Sequence, residues 1–160
     1  MVLDLYAGTC GVAHHISKRG CAAFPFDLSL GADDDVTLPY VHSLLSGWIS
    51  TGCIAGVMIA TQCSSWSRAR HGPIGSSWGP LRSNNHILGI PGLLEKDAAK
   101  VLIGNKQMYL TSRIIACCVK FGVPCVLENP VNSLLCKAAP IARLLKLACC
   151  RSVVLDQCGY

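Results

Sequence analysis

Apolar residues in this chain gather into short continuous runs, each closed by a polar or glycine-containing segment. Val2 to Tyr6 (interrupted by Asp4), Cys21 to Phe26, Ile54 to Ala60 and Pro124 to Leu127 all have this form. Short apolar runs bounded by turn residues predict buried strands. Ser152 to Leu155 predicts one more near the end of the sequence. Segments with helical spacing lie between the runs. Val12 and Ile16 share a face of a first helix that Gly20 stops, and Leu44, Leu45, Trp48 and Ile49 mark the apolar side of a second over 41–49. A long helix is predicted over 97–121. Its expected buried stripe is Ala98, Val101, Leu102, Met108, Ile115 and Val119, with Lys100, Lys106, Arg113 and Lys120 opposite. Gly104 and Asn105 mark a kink in it or its true start, and Gly122 ends it. A last helix over 140–148 precedes the final strand. Strands alternating with helices predict an α/β fold, a mostly parallel sheet with helices on both faces.

Composition narrows the class. The 160 residues suit one domain with a sizeable core, and 51% hydrophobic against 14% charged residues excludes a disordered chain. No run approaches the roughly 18 apolar residues of a membrane span. Asp4 and the glycine-containing segment after it interrupt the N-terminus before a signal-peptide core can form. The 11 cysteines are odd in number and include no CxxC spacing, which argues against a disulfide framework or a zinc knuckle. Cys53, Cys117, Cys118, Cys125 and Cys149 sit in apolar segments, where free cysteine packs as a small hydrophobe. An intracellular, reducing compartment (cytoplasm or nucleus) with mostly buried thiols is expected. The net charge of +5 permits a nucleic-acid partner without requiring one.

Candidate chemistry lies where the runs end. After the first, Ala7-Gly8-Thr9-Cys10-Gly11 leads into a helix, an arrangement that opens nucleotide-binding α/β folds or serves only as a tight βα turn. Asp27 closes the second run, about 20 residues further on, where a carboxylate accepts from ribose hydroxyls or caps a helix. Pro25 is tolerated at a strand end. Asp33-Asp34-Asp35 reads as a solvated acidic turn or a third ligand-contacting loop, with no metal expected because no further ligand stands at useful spacing. The third run delivers Cys63 into a long aperiodic loop, about 64–94. Arg68, Arg70, His71 and Arg82 there suit a phosphate backbone, and Trp66 and Trp78 suit an unstacked base. The alternative is a solvated loop with Trp66 tucked into the core. Glu128 ends the fourth run, on the edge that Cys63, Gly8 and Asp27 would share.

Three segments in this order resemble the DNA cytosine-5 methyltransferase family. Leu3-Asp4-Leu5-Tyr6-Ala7-Gly8-Thr9-Cys10-Gly11 is similar to its D-L-F-x-G-x-G-G cofactor motif. Gln62-Cys63-Ser64-Ser65-Trp66-Ser67 is similar to its P-C-Q-x-F-S nucleophile loop, and Val126-Leu127-Glu128-Asn129-Pro130 to its E-N-V motif. The resemblance implies a Rossmann-like S-adenosylmethionine-dependent methyltransferase fold. It implies cofactor contacts from Asp4, Tyr6, Ala7, Gly8, Thr9, Gly11, Asp27, Leu28 and Asp35. Cys63 would be the nucleophile, a protonated Glu128 would donate to cytosine N3, and Asn129 would hold the loop. Ser67, Arg68, Arg70 and Arg82 would contact nucleic acid, with DNA as the implied partner.

The sequence departs from that pattern in several places. Thr61-Gln62 replaces Pro-Pro, Ser64 replaces glutamine, and Pro130 replaces valine. No Q-x-R-x-R segment or target-recognition region is present, so a single catalytic domain over 1–160 is expected, completed by further domains or a second chain. Two other functions remain open. One is a catalytically inactive module that binds cofactor or nucleic acid; the other is an amino-methyltransferase using Asn129-Pro130.

Overall fold

The protein is described from a computed structural model, in which residues 1–67, 72, 74, 76 and 79–155 are placed. Four strands form the sheet: β1 (Val2–Leu5), β2 (Ala23–Phe26), β3 (Gly56–Ile59) and β4 (Cys125–Leu127). All pairs are parallel and the spatial order is β2-β1-β3-β4. The helices are α1 (Gly11–Lys18), α2 (Pro39–Ser50), α3 (Glu95–Phe121) and α4 (Ala139–Leu144). This is the expected α/β class.

Register decides where the loops emerge. Leu5 pairs with both Phe26 and Ile59, and Ile59 pairs with Leu127, so the four strands end on one row. Backbone bonds extend that row by one residue. The Tyr6 N–H donates to Phe26 O, the Ala60 N–H to Leu5 O and the Glu128 N–H to Ile59 O. The chain steps outward from β1 to β2 and then returns to the other side of β1 for β3. Loops therefore diverge between β1 and β3, the place where parallel α/β sheets open a crevice.

Alternation along β1 sorts the two faces of the sheet. Leu3 and Leu5, with Val57 and Ile59 beside them, pack with Leu45 and Ile49 of α2 and Met108, Ile114 and Ile115 of α3 in one core. Asp4 points the other way, beneath α1. Burial on both faces is complete only at the centre. At the edges Phe24 is 45% and Val126 is 59% exposed, so β4 is half-open rather than the buried strand its sequence predicts. Val153, Val154 and Leu155 make no strand and stand exposed, because no sheet edge accepts them.

The long helix is continuous, and Val101, Met108 and Ile115 of its expected stripe are buried. Val101, Gly104, Met108, Thr111, Ile115 and Cys118 face inward, spaced three and four apart, while Leu102 and Val119 are exposed. The small and polar members of that stripe are hidden from a reading based on large apolar residues. Gly104 lies inside the helix and does not mark its start. Gly122 ends it as expected, in the left-handed region at φ 68°, with its N–H on Val119 O. On α1, Ala13 is the buried residue and Val12 is exposed.

The ten cysteines among the described residues are all free. Burial is less than expected: Cys118 alone is fully buried, and Cys21, Cys53, Cys136 and Cys149 are exposed because their segments lie at the molecular surface. No helix among the described residues is long and apolar enough to cross a membrane.

Candidate functional site

A cavity of about 710 Å³ opens above the carboxyl ends of β1, β2 and β3. Tyr6 and Gly8 come to it from the loop after β1, Asp27 and Leu28 from the loop after β2, and Gln62 from the loop after β3. Asp35 reaches it from the turn before α2. Ile103, Lys106 and Gln107 of α3 close the side. Those three residues are absent from the sequence-based expectation. Sequence places Lys106 on an exposed face, and only the packing of α3 shows that the face borders a cavity.

Asp27 joins two of the loops. Its Oδ2 accepts from the Gly8 N–H at 3.0 Å and its Oδ1 from the Ser29 N–H at 2.8 Å. No helix starts here, so it braces a turn instead of capping a helix. Partial burial pushes its carboxyl upward, but hydrogen bonds from Ser29 and Gly8 outweigh that and hold it below the ordinary value. Asp35 is bound in the same manner, accepting from the Thr37 N–H and hydroxyl, both at 2.8 Å. Asp33 accepts from the Tyr40 hydroxyl at 2.8 Å, and no metal-binding cluster exists among the described residues.

Asp4 is off the cavity wall. It is 2% exposed, and its Oδ2 accepts from the Ala13 N–H at 3.0 Å. Cys10, at the start of α1, makes no side-chain cap. The β1 carboxylate thus takes a first-turn N–H of α1 that no local residue accepts. Burial pushes the Asp4 carboxyl up, partly countered by that bond. Ala7, Thr9 and Gly11 share the loop and the opening of α1 without lining the cavity.

Tyr6 and Gln107 line the cavity, and their Oη and Oε1 atoms are themselves closed off from solvent without a hydrogen-bond partner. Burial pushes the Tyr6 hydroxyl up to about 12, with Thr111 pulling the other way and Asp35 adding to the rise. Buried polar groups without partners are uncommon.

Cys63 begins a tight turn, its carbonyl accepting from Trp66 and Ser67 N–H groups. It is half-buried and just beyond Gln62, the last wall residue of its loop. Thr61 fixes that loop twice. Its hydroxyl pairs with the Thr111 hydroxyl of α3 at 2.7 Å, and its carbonyl accepts from Asn129 Nδ2 at 2.7 Å. Asn129 therefore clasps the loop after β4 to the loop that carries Cys63, with Glu128 adjacent. Neither Glu128 nor Asn129 lines the cavity.

Arg82 departs from its expected role as a phosphate contact. It is 4% exposed, and its guanidinium bonds the Ser65 carbonyl and hydroxyl, the Val101 and Ile87 carbonyls and Asn105 Oδ1. Burial lowers it to about 10. Trp66 lies beneath it, 0% exposed, so the core alternative for that ring holds. Gly104 makes this possible, since a Cβ there would collide with the Ser65 hydroxyl and sit 2.9 Å from Arg82 Nη2. Ser67 is half-buried, and Arg68, Arg70, His71 and Trp78 lie outside the described residues. Spacing in the sequence offers no sign of the Ser65–Arg82–Gly104 contact.

Comparison with protein-family models, curated proteins and solved structures finds no match to this chain.

Proposed function

We propose that this chain is a Rossmann-like methyltransferase domain that uses S-adenosylmethionine to methylate C5 of cytosine in DNA. The observation that carries the reading is one cavity bringing together the turn after β1, the acid after β2 and the loop that leads to Cys63. Asp27 is placed to accept from ribose hydroxyls, since each carboxylate oxygen keeps a further lone pair beyond its bond to Gly8 or Ser29. Gln107 and Tyr6 line the same cavity. These residues fit a nucleoside-bearing cofactor, which when bound supplies an electrophilic methyl group.

The chain's own residues supply the rest. Cys63 Sγ, as thiolate, adds to cytosine C6 and makes C5 nucleophilic, while a protonated Glu128 donates to N3. With the cofactor bound, C5 would take its methyl group and leave the cofactor as a thioether; N3 would return its proton to Glu128, and loss of the C5 proton to a base would break the C6–S bond and release Cys63. The target base must leave the stack to reach the thiol. Asn129 and Thr61 position the loop for that attack by holding its start to β4 and α3. The free thiols support a reducing compartment.

A second reading, a catalytically silent module that binds cofactor, draws support from Cys63 standing outside the cavity wall. Incubation with labelled cofactor and DNA, followed by mass spectrometry of nucleosides, separates them. Formation of 5-methylcytosine, lost in Cys63→Ser together with covalent trapping by 5-fluorocytosine, is the expected result. Full activity in Cys63→Ser overturns the C5 mechanism and, with an N4- or N6-methylated product, points to Asn129-Pro130. Binding of S-adenosylhomocysteine in calorimetry without turnover supports the silent module.

A further inference from the structure

We propose that the cleft between the start of α2 and the middle of α3 is a phosphate-binding site held by His42, Lys106 and Arg113. The cleft encloses about 380 Å³ and has Thr37, His42 and Ser43 on one side and Lys106, Tyr109 and Arg113 on the other. It is separate from the residues to which the methyl-transfer reading gives roles, and it does not depend on that reading.

His42 provides the first indication. The residue is 7% exposed and lines the cleft, and its Nε2, which has almost no accessible surface of its own, lacks a hydrogen-bond partner. A buried ring nitrogen in that state is costly unless a ligand atom meets it. Burial, with Arg113 second, lowers the His42 imidazole below its ordinary range, so near neutrality the ring is uncharged and donates from Nε2 in one tautomer.

The cations supply the charge. Lys106 and Arg113 are two helical turns apart on α3, roughly 10 Å along its axis, and both line the cleft. Neither forms an ion pair among the described residues, and α3 from 98 to 121 contains no aspartate or glutamate. The first turn of α2 adds the partial positive charge of a helix start. The carboxylate of Asp35 is close by, but both its oxygens are bound by Thr37.

A guanidinium fork, an ammonium point charge and a single imidazole N–H suit a group with several equivalent oxygens and a double charge, namely phosphate. Thr37 and Lys106 line this cleft and the larger cavity alike. A phosphate here therefore belongs to a nucleotide or a polynucleotide strand passing the mouth of that cavity.

The test follows His42 Nε2 by NMR in the full ¹⁵N-labelled chain, in phosphate-free buffer. Inorganic phosphate, adenosine monophosphate and a short single-stranded oligodeoxynucleotide are titrated in turn. A saturable movement of the Nε2 resonance is expected with each. Arg113→Gln and Lys106→Gln should each weaken it roughly tenfold without moving the denaturation midpoint, since both side chains are exposed. Tighter binding of the oligodeoxynucleotide assigns the phosphate to a strand, and tighter binding of the monophosphate assigns it to a nucleotide; both support the site. No saturable movement with any of the three, or unchanged affinity in either variant, overturns it.

Discussion

The guanidinium carbon of Arg82 stands 3.4 Å from the centroid of the Trp66 ring. Around it the same group makes five hydrogen bonds to the loop and to α3. Two of those acceptors belong to Ser65, within the turn that starts at Cys63. A buried cation stacked on a ring and ringed by neutral acceptors is stabilised by the fit of its planar fork. Replacing it leaves several carbonyls without partners. Arg82→Ala should lower stability by about 3 kcal/mol, and Arg82→Lys should recover little, because an ammonium cannot span the same acceptors. Urea denaturation measures both. Amide exchange across 63–67 should accelerate in each variant.

Gly104 tests the same contact from the helix side. Alanine favours a helix interior by about 1 kcal/mol, so on propensity alone the substitution is stabilising. Here the new Cβ would meet the Ser65 hydroxyl, Arg82 Nη2 at 2.9 Å and Trp66 Nε1 at 3.2 Å. Overpacking should win, giving a net loss of about 1–2 kcal/mol for Gly104→Ala. A raised melting temperature would contradict this packing.

Asp4 separates capping from charge. Asp4→Asn keeps an oxygen for the Ala13 N–H and removes a carboxylate that burial disfavours, so stability near neutrality should stay level or rise. Asp4→Ala leaves the N–H unmet and should cost about 1–2 kcal/mol. The sign with pH follows from the raised carboxyl. The folded state binds the proton more readily than the unfolded chain, so Asp4 withdraws stability as pH rises past the ordinary value of 3.8 and its folded value. Denaturation midpoints of wild type and Asp4→Asn from pH 3 upward should diverge in that direction.

His42 works with the opposite sign. Its folded value lies below 6.5, since burial disfavours the charged ring and Arg113 opposes its proton. The unfolded chain takes up the proton first, so stability is full above about 6.5 and falls as pH drops through that value. Lys106 and Tyr109 also line the cleft. Arg113→Gln should raise the His42 titration midpoint, read by NMR in phosphate-free buffer. An unchanged midpoint would show that burial alone sets it.

Several features are written in local patterns. Four apolar runs ending in chemistry-bearing residues specify parallel strands, because only a sheet covered at its centre on both faces tolerates them. The strands' shared edge then gathers the turn at Gly8, Asp27 and the loop before Cys63, which is why Asp27 and Gly8 are expected on one edge from the sequence. Gly122 ends α3 by a backbone requirement that the sequence states directly. Tertiary structure decided the rest. The full α3 stripe includes Gly104 and Thr111, whose burial follows from what packs on them and not from their own hydrophobicity. The exposed faces of Val126 and Val153 reflect missing neighbours, which no residue announces. Arg82 shows the difference most clearly: its charge is evident from sequence, but whether a cation meets solvent or carbonyls is set by residues 5 to 23 positions away, most of them brought near only by folding.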